Sequence, residues 1–440
     1  MNIFISYSSK DYDIVKEIAE KLKCVGHSVW IDRQQLLWGQ DIVYSIKQGI
    51  NDADVVLSVI TENYNNSSYA SAELGAVLLG KSNRKLLPVV IGETNIPFII
   101  SDIGYIKYDK FNSDVANDIV YRLENLDFYQ NNYTDNSEDE IKTENENRYI
   151  DLLKDSLNNN RLTIVCGAGI SISAGIPSWN DLLLSMLNKC VNEKYKFNVE
   201  NVKNSLPSSS IILGKYLKLM LGKDFEKVLK ECLYEKLGED ETYLGKKVYR
   251  ETPIMLELLN LLRPKRNRGS VESVITFNFD SLIEDMLDKY GIENQAIYDE
   301  GMVADSKQIP IYHVHGYLPQ TGDIKAPNIV FSEETYHTQF IDSYSWANLV
   351  QLYKYMENTC LLIGLSITDP NLRRLLDISK RKNTSTQIRH YIIKKKPCIT
   401  DDFKKTQMLL EEQDANSLGL NVFWIDNYDE IPNILNRIAN

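Results

Sequence analysis

Short runs of β-branched and aromatic residues, apolar on both faces and each followed by an amphipathic helical stretch, recur along most of the 440-residue chain. "NIFISYS" opens the series, and "HSVWID", "ADVVLSVIT" and "RKLLPVVIG" continue it, with helices such as "DYDIVKEIAEKLKCVG" between them. A strand that is apolar throughout must be covered on both faces. Crossover helices supply that cover, so the pattern predicts parallel sheets sandwiched between helices. The series breaks once, at "DFYQNNYTDNSEDEIKTENENR", which is rich in Asn, Asp and Glu and nearly devoid of apolar periodicity. Such composition predicts a linker over 127–147. The alternation resumes at Arg161 with "LTIVCG", "VESVITFN", "IPIYHVHG", "TCLLIGLS", "IRHYIIKK" and "LNVFWID", interrupted by a largely helical stretch from about 178 to 263. Two α/β domains are expected, 1–126 and 148–440, the second carrying a helical insertion.

Several function classes drop out at this stage. A formal net charge of −12 argues against extended binding to a nucleic-acid backbone. No apolar run reaches the roughly 18 residues of a membrane span, and "MNIFISYSSKD" reads as a strand instead of a signal peptide. The six cysteines lie far apart, with no CxxC pair, so neither a disulfide framework nor a zinc site is expected, and a reducing cytoplasm fits.

The chemistry-bearing residues concentrate at strand ends. In "RLTIVCGAGISISAGIPSW", residues 161–179, a strand breaks into closely spaced glycines before a helix. Glycines at such a turn let backbone N–H groups approach a pyrophosphate beside a helix N-terminus. The spacing is not G-x-G-x-x-G, so the loop alone is a weak signal. "TFNFD" sets Asn278 and Asp280 past one later strand, "YHVHG" sets His315 and Gly316 past another, and "IGLSITDPN" adds Gly364, Ser366 and Asp369 past a third. Polar residues converging from successive strand ends are the expected pattern of a site at the carboxyl edge of a parallel sheet. His313 alternates with His315 and reads as structural. In the first half, "SYSSKD" leaves a strand end, "WIDRQQLLWGQDI" is a polar loop before a helix, and "YNNSSYASAEL" leads into a helix bearing Glu73.

Residues 1 to about 125 resemble the Toll/interleukin-1 receptor (TIR) domain family, through "FISYSSKD", Asp32 with its loop to "GQDI", the "I…GI..AD" spacing and the S-x-aromatic-x-x-x-E arrangement. The resemblance implies a flavodoxin-like sheet and places the functional glutamate of NAD-hydrolysing members at Glu73. Tyr69-Ala70 stands where the family often shows Trp-Cys. Residues 150 to about 440 resemble the sirtuin family, through "GAGISISAGIP", "NFD", "HG" and "GLS". That resemblance implies a Rossmann-like domain binding NAD+. Gly167, Ala168, Gly169 and Ser171 would hold phosphates and the adenosine ribose, with Gly175 and Pro177 shaping the same turn. Asn278 and Asp280 would line the nicotinamide pocket, His315 would be the general base near the ribose, Gly364 and Ser366 would contact the adenosine ribose, and Gly316 and Asp369 would belong to the same NAD+-binding set.

Two departures shape the expected reaction. The four-cysteine zinc module of sirtuin deacylases is missing after His315-Gly316, and "SWNDLL" stands where the family has Asp-Phe-Arg, as in divergent members from bacterial defence proteins. Without the peptide-binding module, water is the expected acceptor. NAD+ then becomes a substrate, hydrolysed to nicotinamide and ADP-ribose with no metal. The resemblance further implies an anti-phage effector, inactive at rest, that assembles as a homo-oligomer through TIR contacts in response to a phage-derived or nucleotide activator. Three other readings stay open: a catalytic or signal-producing TIR domain, a non-catalytic nucleotide-sensing scaffold, and a protein deacylase.

Overall fold

The computed structural model describes residues 1–31, 49–65, 85–94, 96, 103, 105–125, 138–190, 209–237, 242–243, 246–266, 268–322, 328–382, 390–397 and 401–440. The chain forms two compact units, Met1–Tyr149 with Lys396–Ser417, and Ile150–Lys395 with Leu418–Asn440.

The first unit is built on β1 (Asn2–Ser6), β2 (Ser28–Trp30), β3 (Val55–Ile60), β4 (Lys85–Ile91) and β5 (Ile106–Tyr108), in the order β2-β1-β3-β4-β5. Every pairing is parallel. The period-two geometry of a strand splits each apolar run between two cores. Ile3, Ile5, Leu57 and Val59 pack with α1 (Tyr12–Cys24) and α2 (Ser113–Glu124), through Val15, Ile18 and Ile119. Phe4, Val56, Ile60 and Val90 face the other way, toward Tyr64 and Ile96. Asn112 caps α2 by accepting a hydrogen bond from the Val115 N–H at 2.9 Å. Leu409, from the helix Asp401–Ser417, completes the second core, so a segment expected to belong to the C-terminal domain groups with the first unit. Helix α3 (Glu138–Asn158) begins inside the stretch expected to be a linker.

The second unit begins with β6 (Leu162–Cys166), the short α4 (Ala168–Ile172), α5 (Trp179–Cys190), α6 (Ser210–Leu221) and α7 (Phe225–Leu233). A two-stranded hairpin, β7 (Thr242–Tyr243) and β8 (Lys246–Lys247), follows, so the expected helical insertion is not wholly helical. Then come β9 (Val271–Thr276), α8 (Leu282–Lys289), β10 (Asn294–Ile297), β11 (Ile309–His313), α9 (Glu333–Ile341), β12 (Thr359–Ile363), α10 (Pro370–Lys382), β13 (His390–Lys395) and β14 (Leu420–Ile425). The seven-stranded sheet runs β10-β11-β9-β6-β12-β13-β14, and its pairings are parallel. From β6 the chain places β9 beside it, then β10 at the edge, and then β11 between those two. It then returns to place β12 on the other flank of β6. Such a reversal leaves a crevice outside the carboxyl ends of the strands. Helices α5, α6 and α7 form an apolar cluster around Met186, Leu217 and Leu229, which Phe279 and Phe331 join at the site.

Candidate functional site

Four strands end at one level. Cys166 pairs with both Thr276 and Ile363, and His313 pairs with Thr276. The residues that follow, Gly167, Phe277, Val314 and Gly364, therefore leave the sheet side by side. The glycines serve close backbone packing: Gly167 N–H donates to the Ile363 carbonyl at 3.0 Å and Gly169 N–H to the Gly364 carbonyl at 3.1 Å. A Cβ on Gly169 would lie 2.6 Å from Gly364 Cα, and Gly364 has φ +68°, where L side chains are strained. The N–H groups of Gly167 and Gly169 are thus engaged with β12 and its exit turn, so neither is free to meet a ligand.

Asn278 is buried, and its amide nitrogen donates to the Gly167 carbonyl at 3.1 Å and to Ser171 Oγ at 2.9 Å. A carbonyl can only accept, which fixes the amide orientation and commits both N–H groups to the wall. Asn278 is left with Oδ1, an acceptor, as the atom it offers to a ligand. Ser171 in turn donates to Asp280 Oδ1 at 3.3 Å, and Asp280 also accepts from the Leu282 N–H at 3.1 Å. Burial pushes the Asp280 carboxyl up to about 6, against the lowering effect of the Leu282 N–H; Glu284 adds to the rise, while His313 and Ser171 oppose it. Behind this wall His313 Nδ1 donates to the Asn278 carbonyl at 3.1 Å, and its Nε2 lies 2.5 Å from Glu284 Oε1. His313 is thus structural, as its position suggested.

His315 differs. It is 6% exposed, its Nε2 lies 3.4 Å from Asp369 Oδ2, and both atoms are buried with no hydrogen-bond partner. Its ring packs edge-on against Phe277 at 4.7 Å and Tyr336 at 5.7 Å. Burial lowers the His315 pKa from the ordinary histidine value, and the Asp369 carboxylate opposes that shift. The imidazole is therefore held toward its neutral, proton-accepting form. Asp369 also caps α10, its Oδ1 accepting from the N–H groups of Asn371 and Leu372 at 2.8 and 2.9 Å. Ile367, two residues earlier, is a β-branched residue at φ +51°, a strained conformation of the kind held at functional sites.

These groups border a cavity of about 460 Å³, a normal size for a small-molecule site. Gly167, Ala168, Pro177, Asn278, Asp280, His315, Gly364, Ser366 and Asp369 line it. Gly169, Ser171, Gly175 and Gly316 are not among its lining residues. Ser171 is 1% exposed and brackets Asn278 to Asp280, where a ligand contact was expected. Gly175 and Gly316 adopt φ +108° and +104°, conformations that glycine alone enters readily. Trp179 of α5, Ile211 of α6, Phe277 and Tyr336 of α9 complete the walls, and the sequence reading did not select them. Phe277 sits between named residues of "TFNFD", but Tyr336 comes from a helix with no motif around it. Glu73, Asp32 and the loop to Asp41 lie outside the described residues. Among the described residues, no group of three His, Cys, Asp or Glu is placed to hold a metal ion, and no helix is long and apolar enough to cross a membrane.

Comparison with known proteins finds one family in each half of the chain. Residues 3–123 match the TIR domain family and residues 272–416 match the SIR2-like domain family. The NAD(+) hydrolase ThsA of Enterococcus faecium is 24% identical over 301 residues, 64% of this chain and 56% of that protein. The NAD(+) hydrolase ThsA of Bacillus cereus (strain MSX-D12) is 26% identical over 313 residues, 66% of this chain and 56% of that protein. The 2' cyclic ADP-D-ribose synthase BtTIR of Bacteroides thetaiotaomicron is 29% identical over 91 residues, 20% of this chain and 32% of that protein. The chain thus spans little more than half the length of the ThsA relatives it matches. It carries an N-terminal TIR domain and a C-terminal SIR2-like domain, each a parallel-sheet α/β fold.

Proposed function

From a chain that joins a TIR domain to a SIR2-like domain, we propose an NAD+ glycohydrolase whose chemistry resides in the SIR2-like cavity. The observation that carries this reading is the pairing, in one cavity, of a buried histidine with no hydrogen-bonded partner and an asparagine that can present only an acceptor. Nicotinamide leaves NAD+ as a neutral molecule, taking the electron pair of the C1′–N bond, so departure needs no general acid. The water oxygen forms the new bond to C1′, and its proton passes to His315, while Asn278 Oδ1 orients the water. Asp280, buried beside them, offers negative charge to the positive charge that builds on the ribose. Ala168 and the Gly364–Ser366 turn border the same cavity and are the groups offered to the dinucleotide's phosphates and adenosine ribose.

In this reading the TIR domain regulates and assembles the protein in the cytoplasm. NAD+ depletion halts an infected cell, and resting inactivity protects the host until an activator arrives. A second reading, a TIR domain that itself converts NAD+ into a cyclic product, draws on the similarity to a 2' cyclic ADP-D-ribose synthase. One experiment separates them: NAD+ consumption and product identity for the wild type, His315→Ala, Asn278→Ala and Glu73→Ala. The proposal expects His315→Ala and Asn278→Ala to lose at least about 100-fold in turnover, the scale of general acid–base catalysis. Loss confined to Glu73→Ala would move the chemistry to the TIR domain.

A further inference from the structure

His315 and Asp369 leave the ends of β11 and β12, and they present to each other the two polar atoms that the surrounding protein leaves unbonded, His315 Nε2 and Asp369 Oδ2, 3.4 Å apart. The cap on α10 uses Oδ1 alone, so Oδ2 is free for another role. His315 Nδ1 also has no hydrogen bond to the protein. It is not among the buried unpaired atoms, so it is the ring nitrogen that the cavity reaches. The other rings against the imidazole, Phe277 and Tyr336, offer it no charge, since burial and the nearby Asp369 hold the Tyr336 phenol protonated.

We propose that Asp369 is a positioning residue for His315, holding the imidazole as the Nε2–H tautomer so that Nδ1 is the atom that takes the proton of the attacking water. This rests on the SIR2-like cavity being the hydrolase. A carboxylate can only accept, so the neutral ring facing it is best satisfied with its proton on Nε2, which leaves the Nδ1 lone pair open to the substrate side. When water attacks, its proton moves to Nδ1 and the ring becomes an imidazolium, whose charge the same carboxylate stabilises. The 3.4 Å separation is longer than a good hydrogen bond, as catalytic contacts often are before substrate binds. The NAD+-binding part expected of Asp369 is thereby replaced by a contact with the base.

Asp369→Asn provides the test, because Oδ1 of asparagine keeps the cap on α10 while Nδ2 now donates toward Nε2. The ring is then driven to the Nδ1–H tautomer, with its basic nitrogen turned away from the cavity. In full-length protein, kcat for NAD+ hydrolysis is expected to fall at least about 100-fold with KM within a few-fold. The acid limb of kcat/KM should move to lower pH, since the carboxylate that raises the His315 pKa is gone. Nitrogen-15 NMR of the histidine side chains should report Nε2–H at His315 in the wild type and Nδ1–H in the variant, a readout independent of activation. Asp369→Ser, which caps without charge, replaces the variant should Asp369→Asn fail to fold. An unchanged tautomer and acid limb overturn the proposal, as does a raised KM at constant kcat, which would make Asp369 a substrate contact. Full turnover by His315→Ala would instead overturn the hydrolase reading beneath it.

Discussion

The carboxyl edges of the two sheets carry similar residues and put them to different use. At the edge of the first sheet, Thr61 Oγ1 donates to Asp11 Oδ2 at 2.6 Å, Asn63 Nδ2 donates to Asp11 Oδ1 at 2.7 Å, and Ser6 Oγ lies 3.2 Å from Tyr64 Oη. Among the described residues these hydroxyls, amides and carboxylates satisfy one another, and the result is a clasp between the ends of β1 and β3. At the edge of the second sheet, Asn278 Oδ1, Asp369 Oδ2 and His315 Nε2 make no hydrogen bond to the protein. A buried polar group left unpaired costs roughly 1–3 kcal/mol. Two such groups facing each other at one cavity, His315 Nε2 and Asp369 Oδ2, persist only where the surrounding structure holds them. Polar residues at a strand end therefore do not by themselves identify a site; what sets the second edge apart is unpartnered groups that border a cavity. The same contrast separates two histidines of one segment, since His313 is bonded at both ring nitrogens and His315 at neither.

Substitutions can break this contrast, and the largest effect is expected at Gly169. If the interlock of Gly169 with Gly364 shapes the open edge, Gly169→Ala should destabilise the SIR2-like unit by about 3 kcal/mol or more and abolish the proposed NAD+ hydrolysis, because backbone, not a flexible side chain, must move. Denaturant unfolding and turnover, measured together, decide this; wild-type values in both would discard the interlock.

Next is Asp280→Asn, which removes a buried charge while keeping an acceptor for Leu282 and Ser171. A rise from the ordinary 3.8 to about 6 corresponds to about 3 kcal/mol, so the variant should be more stable than the wild type at pH 7 while losing turnover. The sign follows from linkage. The folded pKa of Asp280 is raised, so its stabilising contribution is present below about pH 4 and lost as pH rises through about 6. His390 behaves in the opposite way: burial lowers it to about 4, so its contribution is present above about 6.5 and lost as pH falls through about 4. The two oppose each other across pH 4 to 6. Asp280→Asn should therefore leave a steeper gain of stability with rising pH over that window, measured by thermal unfolding at stepped pH. A flat profile in the variant would contradict the assignment.

The smallest effect is expected in the first unit. Asp11→Ala strands Thr61 and Asn63 and should cost about 1–3 kcal/mol there, followed by chemical denaturation. A loss below about 0.5 kcal/mol would mean that the clasp is ornamental and the contrast between the edges weaker than the geometry suggests.

Much of this was legible beforehand. Apolar runs such as "LTIVCG" and "TCLLIGLS" can only be buried strands, and their order predicts parallel pairing. The residues after them, Gly167, Asn278, His315 and Gly364, could be named because a parallel sheet brings its carboxyl ends together. Strands β5 and β10 were missed, since "IKY" and "NQAI" are short and only partly apolar. The onset of α3 is not legible in an acidic stretch that lacks apolar periodicity.

The sequence by itself determined two parallel-sheet α/β folds and which residues leave their strands at the carboxyl edge, because burial on both faces and period-two geometry act locally along the chain. Only the tertiary structure decided how those residues were used. The turn glycines pack against another turn, Ser171 braces Asn278 and Asp280, and Asp369 meets His315. Hydrogen bonds form between whichever atoms lie within about 3 Å. His315 Nε2 and Asp369 Oδ2 come within 3.4 Å of each other only when β11 and β12 take their places in the sheet.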